Sequence, residues 1–261
     1  RWTLFFGTKK SWTMAIGTME TAQDILTNGE SNPVYYVTEA RNATLRELLR
    51  MCPPTIRGKL GAFLLKILRL DSPHKFGMAI NDAIRCSIDD ISELHEMFHS
   101  TIRDLAHLGF SPIIAQRLPI LGEGSCCSLA FLGNDPTEYA IIVYAKAWAN
   151  GQEYDESGLS FISRDETTIW VTSSVIQRLK SSRNFNVQHF PDNSPDFLRT
   201  THRRRMKAIP KEMLRVFDAE NLLFALREID ALITEFNIAR GVLRPMTIAE
   251  IGAVTRDEDR F

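Results

Sequence analysis

The sequence is poor in cysteine and carries almost no excess charge of either sign. Its 261 residues include four cysteines, none of them spaced as a Cys-x-x-Cys pair. This usage is not that of a disulfide-stabilised extracellular domain, and it predicts a reducing, intracellular compartment. The formal net charge of −1 excludes a strong overall field, so any binding to nucleic acid or to an anionic surface has to be local.

The sequence also lacks a hydrophobic run long enough to span a membrane. The longest apolar stretch is interrupted by Lys66 and Arg69, so no spanning helix is predicted. There is no Walker loop, no Gly-x-Gly-x-x-Gly string and no internal repeat. The chain begins at Arg1 without a signal-peptide pattern, and we expect it to be a fragment or a processed piece.

Hydrophobic periodicity predicts an α-rich α+β fold with a mainly helical N-terminal half, residues 1–109. Thr55 is the expected N-cap of a helix that runs through Leu70. A short helix is predicted at 77–86, and a long one at 88–109, where apolar residues recur at steps of three and four.

Residues 110–261 are predicted to form a smaller mixed half, packed against the first or continuous with it in one domain. The apolar run 139–148 fits a buried strand or a buried helix, and periodicity alone does not decide between them. A hairpin is predicted around Arg164-Asp165-Glu166. Helices are predicted at 174–180, 210–217 and 219–240, with Gly241 as the C-cap of the last.

The helix predicted at 88–109 carries a His-Glu-x-x-His string, His95-Glu96-Met97-Phe98-His99. Histidines at positions i and i+4 lie about 40° apart around the helix axis, so both imidazoles can reach one metal ion. The string resembles that of the zincin-type zinc metallopeptidases. That resemblance implies zinc as cofactor, His95 and His99 as its ligands, Glu96 as general base, and a peptide or protein substrate.

A third zinc ligand has to come from elsewhere in the chain. The metzincin extension is absent, because Ile102 and Leu105 stand where it needs glycine and histidine. Glutamate-type zincins take the third ligand from a later element, and Glu123 is the candidate here. The alternative interpretation is a helix with two histidines at its solvent edge, because Glu96 lies almost opposite the apolar stripe.

A second candidate is the turn Gly122-Glu123-Gly124-Ser125-Cys126-Cys127. It is similar to the Asp-Gly-x-Cys turn of the ovarian-tumour-type deubiquitinating peptidases, although Glu123 stands where that family has Asp. The resemblance implies Cys126 as nucleophile and His189 or His202 as its base. Small buried thiols in a tight turn are the alternative interpretation.

A third candidate is the basic cluster from Arg199 to Lys211, the densest positive patch in the chain. Clustered arginine and lysine neutralise phosphates. Few aromatic residues lie nearby, which favours contact with a nucleic-acid backbone over recognition of bases. The cluster therefore predicts a non-enzymatic, nucleoprotein-like binding or assembly protein that holds a nucleic-acid backbone or a protein partner with Arg203, Arg204, Arg205 and Lys207. Pairing with surface acids is the simpler alternative.

The helix predicted from Thr55 to Leu70 combines a broad apolar face with four cations, Arg57, Lys59, Lys66 and Arg69. This combination is compatible with a surface that binds an anionic partner, and equally with a basic helix side that is simply exposed to solvent. Three functions stay open at this point: a zinc-dependent hydrolase, a non-enzymatic binding protein and a cysteine peptidase.

Overall fold

The computed structural model describes residues 33–52, 55–69, 77–78, 83–91, 94, 97–121, 124–149, 152–175, 177–191 and 193–258, which belong to one compact unit. The strands are β1 (Tyr36–Thr38), β2 (Gly77–Met78), β3 (Ile84–Cys86), β4 (Phe110–Leu118), β5 (Ile120–Leu121), β6 (Gly124–Gly133), β7 (Tyr139–Ala149), β8 (Gln152–Arg164), β9 (Ile169–Ser173), β10 (Phe185–His189) and β11 (Leu243–Pro245). The helices are α1 (Leu45–Met51), α2 (Ile56–Leu68), α3 (His99–His107), α4 (Pro195–Lys207), α5 (Ala219–Ala239) and α6 (Ile248–Glu258), with 3-10 turns at Ala40–Asn42 and Ile88–Ile91.

A seven-stranded sheet, ordered β10-β9-β8-β7-β6-β4-β3, forms the centre of the described structure. Neighbouring strands are antiparallel except β9 and β10, which are parallel. The three longest strands, β6, β7 and β8, lie next to one another. Their apolar, β-branched and aromatic residues suit a sheet that is covered on both faces.

Helices cover both faces of this sheet. On one face, Leu105 of α3 and Leu198 of α4 pack with Phe131 and Phe161. On the other face, the apolar side of α5 packs against β4, β7, β8 and β9 through Leu222, Leu226 and Ile229. The core is therefore arranged in three layers, with the sheet in the middle.

A second, four-stranded antiparallel sheet has the order β11-β1-β2-β5. Next to it, α1 and α2 pack on each other around Ala43, Leu48, Ala62 and Val242. None of the described helices is both long and apolar enough to cross a lipid bilayer.

The predicted fold class, an α-rich protein with a helical N-terminal half against a smaller mixed half, is wrong. The seven-stranded sheet is the largest element, and the helices are spread along the chain on both sides of it. Within the segment predicted as a helix at 77–86, Ile84–Cys86 pairs with β4 as an edge strand. In a short apolar segment, the spacing of the apolar residues fits a helix and a strand equally well. Here the segment is a strand because it pairs with β4. The division predicted at residue 109 falls in the turn between α3 and β4.

Two other helix predictions are also wrong. Residues 212–217 are irregular because they bond to the sheet: Leu214 N–H donates to the carbonyl of Arg164 at 2.8 Å, and Val216 N–H donates to that of Pro136 at 2.7 Å. The described residues of 174–180 contain no helix. Within the helix predicted at 88–109, Ile88–Ile91 is a 3-10 turn, Leu94 and Met97 are helical, and α3 covers His99–His107.

Other local predictions are confirmed. Thr55 caps α2 by accepting the Gly58 N–H at 3.0 Å. The predicted hairpin around Asp165 joins β8 to β9. The run 139–148, which the sequence left open between a strand and a helix, belongs to the strand β7. Gly241 ends α5 with φ of 68°, a left-handed conformation that glycine adopts without strain.

Candidate functional site

Of the predicted zinc set, the structure describes only His99. This residue is the first of α3 and is exposed. His95, Glu96 and Glu123 lie outside the described residues. Within the part of the chain that the structure describes, no three His, Cys, Asp or Glu side chains are grouped to hold a metal ion. The zinc site therefore stays a prediction.

The side chain of Cys126 is buried in the middle of the fold. Burial raises the pKa of this thiol to about 12, and Cys127, Asp230 and Glu156 add to the effect. Because the thiolate is the reactive form, a thiol with so high a pKa is a poor nucleophile at neutral pH.

The two histidines proposed as bases are also placed unfavourably for Cys126. Cys127 belongs to the core on the α4 side of the sheet, so Cys126 faces the α5 side, away from His202. His189 lies on β10, four strand positions from β6, a separation of about 19 Å at the usual strand spacing. The cysteine-peptidase hypothesis gains no support from this geometry.

The basic cluster lies mainly on α4, which Ser194 caps by accepting the Phe197 N–H at 3.3 Å. Two of its arginines bind the same buried carboxylate. Arg199 Nε donates to Glu138 Oε1 at 2.9 Å, and Arg203 Nε donates to Glu138 Oε2 at 3.0 Å. Glu138 is 2% exposed. These two cations therefore fix α4 to the turn before β7.

Arg205 is also directed inward, although the sequence predicted it as a phosphate ligand. Its Nη1 donates to the carbonyl of Val171 at 2.6 Å and to Thr172 Oγ1 at 2.7 Å, and its Nη2 donates to Asn186 Oδ1 at 3.0 Å. These bonds tie α4 to β9 and β10. Arg204 and Lys207 are exposed and make no ion pair with another described residue, so they are the cations of the predicted set left for a partner.

A buried polar network centred on His202 of α4 was missed by sequence reasoning. The imidazole lies between two hydroxyls, with Nε2 3.0 Å from Ser163 Oγ and Nδ1 3.0 Å from Thr172 Oγ1. Ser163 donates to the carbonyl of Thr137 at 2.6 Å. Ser163 therefore accepts from Nε2, and Nδ1 accepts from Thr172. The partners come from three separate elements, so no local spacing signals them.

The electrostatics of this network favour a structural role. Burial lowers the pKa of His202 to about 3, with a further contribution from the charges of Arg205 and Arg203. The imidazole is therefore neutral at pH 7 and a weak base. Because the Ser163 proton already points to a backbone carbonyl, the serine and histidine are not arranged as nucleophile and base.

Two open depressions border α4 and the segment that follows it. One, of about 360 Å³, is lined by Asp135, Thr137, Glu138, Ser163, Arg203, Met206 and Lys207. The other, of about 520 Å³, includes Asp165, which accepts from Thr167 N–H at 2.8 Å, Thr168 N–H at 3.0 Å and Trp170 Nε1 at 3.1 Å. The buried carboxylates of the two depressions, Glu138 and Asp165, are thus already hydrogen-bonded within the fold.

A surface of a different kind lies on α2. Large apolar side chains run along its outer side from the first residue to the last, and we call this stripe the α2 face: Ile56 (87% exposed), Leu60 (57%), Phe63 (48%), Leu64 (46%), Ile67 (59%) and Leu68 (57%). Steps of three and four place them on one side of the helix. The opposite side is packed, with Ala62 fully buried against α1.

The charges around the α2 face have one sign. Residues 44–69 contain six cations, Arg46, Arg50, Arg57, Lys59, Lys66 and Arg69. The only acidic residue in this segment is Glu47. Glu47 is 1% exposed, and it accepts from Arg240 Nη2 at 2.7 Å and from the Lys180 N–H at 2.8 Å. The described charged side chains that are exposed in residues 44–69 are therefore all cations.

Comparisons of the chain with known protein families, with curated proteins and with solved structures found no match.

Proposed function

We propose that this protein is a non-enzymatic binding or assembly protein that attaches to its partner through the α2 face. The observation that carries the proposal is the continuous exposure of six large apolar side chains along one side of a 13-residue helix. Contiguous apolar surface of this kind marks interaction sites in soluble proteins. Full burial of one such side chain is worth about 1.5–3 kcal/mol, which association through the stripe would recover.

The α2 face is held ready for binding by the rest of the fold. Lys66, on the packed side of α2, donates from Nζ to the carbonyl of Ala43 at 2.6 Å. Thr55 caps the first turn. Because the helix is already ordered by these contacts, a partner does not have to supply the free energy of forming it.

The basic cluster supports a different version of the same class, contact with a nucleic-acid backbone. Arg204 and Lys207 remain for such contact, whereas Arg199, Arg203 and Arg205 bind protein groups. The α2 face offers the larger exposed feature, and we place the binding there.

The proposal is tested with a photo-cross-linking amino acid in place of Leu64, in cells that express the full chain. We expect covalent adducts at this position, and we expect them to disappear when Leu60→Glu is added. The matched control places the same cross-linker at Phe224, an apolar residue of α5 that is 63% exposed. Equal adduct formation at the two positions, or adducts that persist with Leu60→Glu, would refute binding through the α2 face.

A further inference from the structure

We infer that the α2 face binds the surface of an anionic lipid bilayer, lying in the plane of the interface. This inference rests on the proposed function, because it names the partner of the same surface. It is carried by the length of α2, by the exposure of its apolar side chains and by the sign of the charged residues in the same segment.

The length of α2 fits an interfacial helix. Its 13 residues extend about 20 Å, which is shorter than the hydrocarbon core of about 30 Å. Exposure continues from Ile56 in the first turn to Leu68 in the last. A flat surface can therefore contact the whole stripe at once, as happens when a helix lies along a bilayer with its apolar side chains among the acyl chains.

The surrounding charge favours an anionic surface. Lys59 of α2 and Arg69, the residue that follows α2, are exposed. Arg46 and Arg50 of α1 are exposed as well, but α1 packs on the side of α2 opposite the α2 face. The only acid between residues 44 and 69 is the buried Glu47, already bound by Arg240. Each basic residue next to an anionic membrane contributes about 1 kcal/mol to binding. A chain with a net charge of −1 thus has a local excess of positive charge in residues 44–69, the segment that contains its exposed apolar helix.

The same charges count against a second copy of this chain as the partner. A two-fold interface brings the same patch of two copies together. Face-to-face pairing of α2 would set the Lys59 and Arg69 of one copy among the cations of the other, with no exposed acid in residues 44–69 to compensate. An acidic amphipathic helix of another protein would not be repelled by these cations. The experiment therefore has to distinguish such a protein partner from a lipid surface.

The test is flotation of the full chain with phosphatidylcholine vesicles that contain or lack phosphatidylserine. We expect binding to the vesicles with phosphatidylserine and little to those without. Replacing Lys59 and Arg69 by glutamine should weaken binding about 30-fold, since two cations are removed. Replacing Leu60 and Ile67 by serine should weaken it about 100-fold or more.

The control is Phe224→Ser, which removes an exposed apolar side chain from α5 and should leave vesicle binding unchanged. All substituted side chains are exposed, so thermal unfolding should be close to that of the parent chain, and this is measured in parallel. Equal binding to both kinds of vesicle, or binding that the α2 substitutions do not weaken, would overturn the lipid inference.

The lipid inference and the proposed function fail in different ways. If vesicles do not bind but the cross-linker at Leu64 forms a protein adduct that Leu60→Glu abolishes, the partner is a protein and only the lipid inference is overturned. If neither vesicles nor cross-linking reveal binding through α2, both proposals are overturned.

Discussion

The imidazole of His202 on α4 lies 3.0 Å from the hydroxyl of Ser163 on β8, and both side chains are almost completely shielded from solvent. A second hydroxyl, Thr172 Oγ1, lies 3.0 Å from Nδ1, so both ring nitrogens have a hydrogen-bond partner. The ring joins α4 to two strands of the central sheet, and the hydrogen bond that Nδ1 accepts from Thr172 requires the neutral form.

This relationship predicts that acid weakens the fold through His202. The folded-state pKa is lowered from 6.5 to about 3, so between these values the unfolded chain binds the extra proton. Stability is therefore full above pH 6.5 and falls as the pH drops toward 3, by a few kcal/mol in total at about 1.4 kcal/mol per pKa unit. Urea unfolding of the parent chain and of His202→Asn at several pH values between 7 and 4 measures this. The variant should be less stable at pH 7 but should show a shallower decline, and equal slopes would contradict the prediction.

A second prediction concerns Glu47, the carboxylate that holds α1 to the end of α5. Burial raises the pKa of Glu47, but hydrogen bonds from Arg240, from the Lys180 backbone and from Thr44 outweigh it and bring the pKa to about 2. The stabilisation is present above its ordinary value of 4.5 and is lost as the pH falls toward 2. Glu47→Gln should lower the free energy of unfolding by about 3–5 kcal/mol at pH 7, because a buried partner of Arg240 is removed. Glu235→Gln, on the exposed side of α5, should change it by less than about 0.5 kcal/mol.

A third prediction separates the neighbouring arginines of α4. Arg205→Ala should lower the free energy of unfolding by about 1–3 kcal/mol, since its bonds to Val171 and Asn186 are lost. Arg204→Ala should leave stability unchanged, because that side chain is exposed. If the cluster holds a nucleic-acid backbone, Arg204→Ala also weakens RNA binding measured at low salt, and binding falls steeply as salt is raised. RNA binding that is insensitive to salt would contradict the nucleic-acid hypothesis.

The fourth prediction concerns thiol reactivity. Cys126 is buried and its pKa is raised to about 12, whereas Cys52 and Cys86 are partly exposed. Iodoacetamide should therefore label Cys52 and Cys86 of the native protein before Cys126, as followed by peptide mass spectrometry. Labelling after denaturation is the control, in which the differences between the sites should largely disappear. Preferential labelling of native Cys126 would restore the cysteine-peptidase hypothesis.

The fifth prediction belongs to the His-Glu-x-x-His string. A zinc site built on it requires stoichiometric zinc in the purified protein, lost in His99→Ala and retained in Glu96→Gln, with peptidase activity lost in both. Elemental analysis of the three proteins measures this. Absence of zinc after incubation with the metal would rule out the zinc-hydrolase hypothesis and leave the string without a metal-binding role.

Sequence reasoning reached the elements whose signals are local. The helix α5 has apolar residues at helical spacing and Gly241 at its end, and α2 has Thr55 at its start, so both are found correctly. The segments 77–86 and 210–217 are misjudged because their neighbours in space decide their conformation: β4 for the first, and the end of β8 and the turn before β7 for the second. Local periodicity carries no information about those partners.

For the basic cluster and for the α2 face, the sequence shows which residue types are present but not which groups they contact or how exposed they are. The cluster on α4 could be counted as positive charge, but Glu138 lies 61 residues from Arg199 in the sequence, and nothing local indicates that the two meet. The apolar face and the cations of α2 were visible in the sequence. Their exposure was not, because whether a helix face is covered depends on how the other elements pack.

The pairing of β1 with β11 has a consequence for how the chain folds during synthesis. Thr38 lies opposite Leu243, and the Glu39 carboxylate accepts from Arg244, 205 residues further along the chain. The strand β1 can pair with β2 early, but its pairing with β11 cannot form until residues 243–245 have left the ribosome. Contacts between such distant residues slow folding, because a long loop has to close before they form. We expect the central sheet to form first during translation, with the four-stranded sheet closing last around the two ends of the described chain.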